Sequence, residues 1–469
     1  MKKFRKGISI IIALAMVVTS CVAYAPAKTD AAVKVIVGKK LKVEISDTET
    51  IVVKGKAKAK SSKNSVATVS GISRYQGNSN IHVKGIKVGK TKIKVKVGGS
   101  KKTIAVTVFP KTVSGQKAAL RSSNSAKISW KKAKGASGYR VFRSNSESGK
   151  YKKVATVKGA KKTSYVNNNL PLGNYYYYKI QAYGKKGIKS EEMSKAVYVK
   201  TWKLVWSDEF NGNKVDESKW QYDTKGGGWG NRELQYYRPE NNIVKDGKLA
   251  IKTELLYDPD AEKCVDKIEE DGKTIPTYYS GRMNTKGKYY FKYGKLEFRA
   301  KQAKGVGTWT AGWALGKDKV WPNCGEIDVF ETTSAKAKTT IPQSLHMKKF
   351  NGMAGSSANK HFDSTVATAT TAYHTYGVIW TDHDLTFTID GAATGNYNPQ
   401  DFVADGRGVD DQTVWPYCQP FYLIVNCAIG GVLGGTVTPE YWTPEGGLDK
   451  YGYQKYVDYL YFDWVRVSQ

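Results

Sequence analysis

The sequence predicts an all-β chain in which two small Ig-like β-sandwiches precede one large two-sheet sandwich. Three observations carry this expectation. Apolar and polar residues alternate with period two over short runs, which puts successive side chains on opposite faces of a strand. Gly, Asn and Asp clusters punctuate those runs, as turns between strands require. Over residues 202–469 helical periodicity of any length is absent. The 469 residues exceed one ordinary domain of roughly 150 residues. Composition also changes along the chain, with eleven of the twelve Trp in 202–469 and only Trp130 outside.

Residues 1–32 read as an export signal. Lys2, Lys3, Arg5 and Lys6 form a positive head, Ile8 to Val18 is an apolar run too short to span a bilayer comfortably, and Ala25-Pro26-Ala27 offers small residues for cleavage. Val18-Thr19-Ser20-Cys21 also resembles a bacterial lipoprotein box, which would tether the chain through Cys21. A secreted or cell-surface protein is expected on either reading.

Residues 33–110 are written in period two. In Thr91-Lys92-Ile93-Lys94-Val95-Lys96-Val97 the apolar side chains point one way and the lysines the other, and Ile104, Val106 and Val108 repeat the pattern. Ser61 to Ser70 followed by Val88-Gly89-Lys90-Thr91-Lys92-Ile93 resembles a bacterial Ig-like module of the Big-2 type. Residues 111–201 keep the rhythm. Ile128-Ser129-Trp130, then Gly138-Tyr139-Arg140-Val141-Phe142, then Tyr176-Tyr177-Tyr178-Lys179-Ile180 resemble a fibronectin type III sandwich with an early core Trp. Its aromatics are expected to pack a core rather than bind sugar. Both modules read as spacers or wall-contact modules.

Charge divides the chain differently. Residues 1–200 hold 44 Lys+Arg and 7 Asp+Glu, a net +37, whereas residues 201–469 hold 31 and 34, a net −3. The basic part raises anionic cell wall, membrane surface or nucleic acid as partners, against a plain solubilising lysine face. Nucleic acid is excluded, because lysines alternate with strand residues without a recognition helix or an RNA-binding aromatic motif. An anionic cell wall is the partner expected for the basic modules. Cys264, Cys324, Cys418 and Cys427 have neither CxxC spacing nor paired His ligands, which argues against zinc. Disulfides and buried thiols both remain open.

The residues that carry chemistry stand in Gly325-Glu326-Ile327-Asp328-Val329-Phe330-Glu331. In a regular strand Glu326 and Asp328 share a face and Glu331 points away. One extra residue, a β-bulge, would bring it back. Ile327, with one or both of Val329 and Phe330, would then enter the core. Sugar hydrolysis with retention needs two carboxyls about 5–5.5 Å apart. At strand rise the backbone from Glu326 to Glu331 spans roughly 13–16 Å. Long Glu side chains and sheet curvature must close that gap. Three close carboxylates cannot all ionise freely, so one keeps a proton near neutral pH, as a general acid must. The bland alternative is a solvated acidic strand. Trp309, Trp313 and Trp321 just upstream favour the first reading, since flat rings suit the apolar faces of pyranose rings.

Residues 202–469 resemble a family 16 glycoside hydrolase of the laminarinase type. The resemblance rests on Trp206-Ser207-Asp208-Glu209-Phe210, Gly228-Trp229-Gly230-Asn231-Arg232-Glu233-Leu234, Ser280-Gly281-Arg282, Trp321-Pro322-Asn323-Cys324-Gly325-Glu326-Ile327-Asp328, Asn426-Cys427-Ala428-Ile429-Gly430-Gly431 and Asp463-Trp464-Val465-Arg466. It implies a catalytic β-jelly roll with a concave cleft. It makes Glu326 the nucleophile, Glu331 the acid/base and Asp328 the assisting aspartate. The two-residue gap between Asp328 and Glu331 matches the bulged branch, whereas regular-strand lichenases have one. Asn231, Arg282, Trp309, Trp313, Trp321 and His346 match positions that line the glycan cleft, although Trp313 would also serve as core and His346 as a strand cap. A structural calcium is implied on Glu209, the Gly247 carbonyl and Asp463, an oxygen-only set that suits this ion.

Two departures stand out. Trp309-Thr310-Ala311-Gly312-Trp313 replaces the usual Trp-Pro-Ala-Phe-Trp, and Val432-Leu433-Gly434-Gly435 replaces Asn-Trp-Pro-Gly, so one cleft Trp is missing. The expected protein is thus a monomeric, endo-acting, retaining hydrolase of β-1,3-glucan that needs no cofactor for chemistry. The alternatives are a mixed-linkage β-1,3-1,4-glucanase, a galactan-cleaving relative, and a glycan-binding or adhesion protein without turnover.

Overall fold

A computed structural model describes residues 35–333, 338–403 and 408–469. The export signal and Cys21 lie outside them. The chain forms two compact units. Of the described residues, one comprises 35–119 with 127–166 and 177–198, and the other comprises 120–126, 167–176 and the described part of 199–469. Among the described residues no helix is long and apolar enough to cross a membrane.

In the first unit the period-two pattern does what its spacing requires. Two four-stranded sheets face each other across Ile51, Val53, Ile81, Val83, Ile93, Val95, Ile104 and Val106, all essentially inaccessible. One sheet runs in the order Lys40–Glu44, Ser100–Phe109, Gly89–Val97, Ala57–Ser61. In the following module Trp130 is buried edge-on against Tyr139 at 5.2 Å, and Tyr178 and Ile180 are fully buried. These rings are core.

The second unit is built on two large sheets. The seven-stranded sheet has the order Gln221–Tyr222, Arg282–Asn284, Phe421–Ile429, Thr308–Gly316, Glu326–Thr332, Thr340–His346, Lys360–Thr365. Its partner is twelve-stranded and centred on Gln454–Ser468. A single apolar core between them includes Leu296, Phe298, Ile327, Val329, Phe330, Ile341, Leu345, Phe387, Leu423, Val425, Phe462 and Val465. The strand Phe421–Ile429 is buried at every position, as expected for a central strand covered on both faces. This jelly-roll arrangement leaves the outer face of the seven-stranded sheet to carry the polar residues considered next. Cys264, Cys324, Cys418 and Cys427 are free thiols, which closes the disulfide question.

Candidate active site

The strand Glu326–Thr332 begins at Gly325, whose φ of +78° falls in the left-handed region. A Cβ there would sit 2.7 Å from Pro416 Cγ, so only glycine fits. Against Thr308–Gly316, Glu326 pairs with Leu315, Ile327 with Ala314, Asp328 with Trp313, Phe330 with Gly312 and Glu331 with Ala311. Val329 is the inserted residue of the bulge. Ile327, Val329 and Phe330 all enter the core, so Glu326, Asp328 and Glu331 share the opposite face. Phe330 also accounts for Gly312. A Cβ at 312 would lie 2.4 Å from the Phe330 ring, so this chain fills with Phe330 the space that a side chain at 312 would need.

A bulge leaves a backbone group out of the ladder. Here the Val329 carbonyl accepts a hydrogen bond from Gln343 Nε2 at 2.7 Å, and Gln343 is fully buried. Gln343→Met is expected to strand that carbonyl at a cost of about 1–3 kcal/mol. Looser seating of Glu331 should lower kcat while KM changes little. Urea unfolding and steady-state kinetics check both. Unchanged stability would remove this role for Gln343.

Two indoles fix the outer acids. Trp309 Nε1 donates to Glu331 Oε1 at 2.8 Å, and Trp321 Nε1 donates to Glu326 Oε2. Trp321 is itself 37% exposed. Trp313 is half-buried and donates to Asn426 Oδ1 at 2.8 Å. Asn426 in turn donates to Tyr237 OH at 3.1 Å, and that hydroxyl donates to Glu233 at 3.3 Å. Arg282 pairs with Asp223 at 2.9 Å and places its guanidinium 4.4 Å from the Trp229 ring and 5.0 Å from the Trp313 ring. Arg282, Asn426, Ala311 and Glu331 form one cross-strand row, so all four face the same way. Asn231 lies in a loop, its amide 3.1 Å from Glu233. Trp229, Glu233 and Asn426 lie in the stretches that carry the family resemblance, but the sequence assigned no role to them or to Tyr237. Asn426 did leave a signal, being the one amide inside Phe421-Tyr422-Leu423-Ile424-Val425-Asn426-Cys427-Ala428-Ile429.

Asp328 is only 4% exposed, and His346 Nε2 lies 3.3 Å from its Oδ2. His346 is therefore seated on the middle acid rather than capping a strand. Its Nδ1 lies 3.2 Å from the Asn351 carbonyl, which can only accept, so Nδ1 carries a proton. Burial pushes the Asp328 carboxyl up, and the neighbouring Glu326 charge adds to the rise. Burial pulls the His346 imidazole down, but Asp328, with Glu326 and Glu331 behind it, outweighs this and takes it to about 10. The His346 imidazole therefore keeps its extra proton through neutral pH.

The folded chain thus binds a proton that the unfolded chain releases near the ordinary imidazole pKa of about 6.5. Its contribution to stability is complete below about pH 6.5 and is lost as pH rises toward 10. Urea unfolding across pH 6 to 10 should show this decline, and His346→Gln should flatten it. An equal slope in the variant would assign the decline to other groups.

Glu326, Asp328 and His346 each bring one ligand atom to within 4.8 Å of the others. The set read for calcium does not fit an ion as arranged. Both Glu209 oxygens are taken by Arg466, at 2.9 and 2.7 Å, and Asp463 is taken by Arg299 at 2.8 Å. Gly247, at φ +69°, serves a turn. Of the three residues read as offering oxygen to a cation, two are carboxylates already paired with guanidinium groups.

Paired glutamates held by indoles, a buried aspartate between them and a further Trp along the same sheet face define a glycoside hydrolase. Residues 238–453 match the profile of Glycosyl hydrolases family 16. The chain is 36% identical over 250 residues to a "Beta-glucanase" of Rhodothermus marinus, an alignment covering 51% of this chain and 80% of that protein. It is 35% identical over 254 residues to "Glucan endo-1,3-beta-glucosidase A1" of Niallia circulans, covering 50% of this chain and 35% of that protein. Among solved structures, the laminarinase from Rhodothermus marinus is 33% identical and covers 57% of this chain and 97% of its own, with a TM-score of 0.46. The chain belongs to glycoside hydrolase family 16.

Proposed function

We propose that residues 202–469 form an endo-acting, retaining β-1,3-glucanase. The observation that carries this reading is the bulge at Val329, which brings Glu331 onto the face of Glu326 with Asp328 between them. Glu331 protonates the leaving oxygen while Glu326 attacks the anomeric carbon and forms a glycosyl-enzyme. Glu331 then takes a proton from water, which releases the sugar. Asp328, buried beside a protonated His346, has its negative charge offset there, which limits the build-up of charge between the two glutamates. No cofactor enters the chemistry, and calcium has no part in this reading. Trp309, Trp313 and Trp321, with Arg282 and Asn231, bind the glucan chain. The glucan-cleaving activities named for the relatives above support a β-1,3-linked substrate.

The protein acts as a secreted or surface-held monomer. Its Ig-like and fibronectin type III modules, residues 33–110 and 111–201, serve as spacers that contact an anionic cell wall. Product analysis on laminarin and on cereal mixed-linkage glucan tests the reading, with proton NMR following the anomer first released. β-Configured oligosaccharides of several lengths from laminarin are expected. Release of glucose alone, an inverted anomer, or cleavage confined to galactans would refute it. Glucan binding without any product would favour the adhesion alternative.

A further inference from the structure

One N-terminal sheet carries more like charge than its own fold neutralises. In the strand Gly89–Val97, Thr91, Ile93 and Val95 are buried while Lys90, Lys92, Lys94 and Lys96 are exposed. Residues two apart in a strand stand about 6.8 Å apart, so this is a ruled row of cations. The neighbouring strands add to it. Lys96 is directly opposite Lys58 on one side and Lys101 on the other, and Lys94 is opposite Lys60. Like charges placed directly opposite one another destabilise a sheet. Among the described residues, the ion pairs of this unit join Lys42 to Glu191 and Lys111 to Glu44 and Asp47, and none reaches these lysines. They border a trough of about 500 Å³ walled by Lys58, Lys60, Lys94, Lys96, Lys101 and Lys102. The same row ends at Lys90 on a second hollow of about 1050 Å³, which Lys42 and Lys87 also line.

We propose that this lysine face binds a linear polyol-phosphate polymer of an anionic cell envelope, with phosphodiester groups laid along Lys90 to Lys96. The inference rests on the wall-contact reading above and gives it a site and a ligand chemistry. Repulsion between facing lysines is relieved when phosphates intercalate, and the counterions condensed on the polymer are released. The six-bond repeat of a three-carbon polyol phosphate is commensurate with alternate strand positions. Lysine ammonium groups on flexible stems take phosphate as point charges without demanding one geometry. Opposite Lys90, Lys92, Lys94 and Lys96 stand Thr107, Ala105, Thr103 and Lys101. No ring interleaves the row, whereas binders of single-stranded nucleic acid stack bases on aromatic side chains.

The test uses the full chain and synthetic poly(glycerol phosphate) as probe. A trough variant carries Lys58→Gln, Lys60→Gln, Lys94→Gln and Lys96→Gln. A control variant carries Lys127→Gln, Lys131→Gln, Lys152→Gln and Lys161→Gln, equally exposed lysines off this face. At 50 mM salt the trough variant is expected to bind at least tenfold more weakly than the parent. Its slope of log K against log salt should fall by about 3, four lysines at about 0.7 each. The control should lose under threefold. Laminarin hydrolysis should be unchanged in both, and the low-salt Tm of the trough variant should be equal or higher, which shows that it folds. Equal weakening of both variants would overturn the site while leaving a diffuse wall contact standing. Absence of binding by the parent would overturn the site and the wall-contact reading together, with the glucanase untouched. Tighter binding of oligo(dT) or of polygalacturonate than of the polyol phosphate would overturn the assigned ligand.

Discussion

Glu326→Gln is expected to lower kcat on laminarin by about 10⁴-fold or more, the scale seen when a covalent nucleophile is removed. This equals about 5.5 kcal/mol of transition-state stabilisation. The amide oxygen can still accept from the Trp321 indole, as Glu326 Oε2 does now, so the strand should keep its shape. What disappears is the charge that attacks the anomeric carbon. The loss should therefore be as deep on an activated aryl glucoside as on the polymer, with no burst of aryl alcohol and no covalent adduct in the mass spectrum. KM should change little, because the binding face is untouched. Activity within tenfold of the parent would remove Glu326 from the nucleophile's role, and a lowered Tm would recast the loss as unfolding.

Glu331→Gln should behave differently. General acid–base catalysis contributes about 10²–10⁴-fold, and that loss should appear in full on laminarin, whose leaving sugar needs a proton. An aryl glucoside with an acidic leaving group needs none. Its first step should survive, so the glycosyl-enzyme accumulates and aryl alcohol is released in a burst equal to the enzyme present. The second step still lacks its base, and azide, which needs no deprotonation, should restore turnover and yield a glycosyl azide. Trp309 donates to Glu331 Oε1 at 2.8 Å and can donate equally to the amide. If the polymer and the aryl substrate lose rate equally and azide does nothing, Glu331 is not the proton carrier.

Much of this site was legible in the chain because strand geometry is local. Period two put Glu326 and Asp328 on one face from their spacing alone, and the apolar Val329 and Phe330 together required an extra residue before Glu331 could join them. The same rule marked Ile93 and Val95 as core and the lysines between them as surface. The bulge had two candidate core residues, however, and only the pairing with Thr308–Gly316 shows that both enter and that Val329 is the insertion. Its satisfaction by Gln343, from another strand, carried no sequence signal.

The resemblance to family 16 named cleft positions but not their partners. Trp313 depends on Asn426, 113 residues away, and through it on Tyr237 and Glu233. The calcium set failed for the same reason. Glu209 and Asp463 are acids in the right places along the chain, but the fold delivers Arg466 and Arg299 to them. The sequence by itself determined which residues face the core and which face solvent, because alternation is a property of three or four consecutive residues. Only the tertiary structure decided which charges meet, which acid is buried and which face is left without counter-charge, because those depend on registers between strands far apart in the chain.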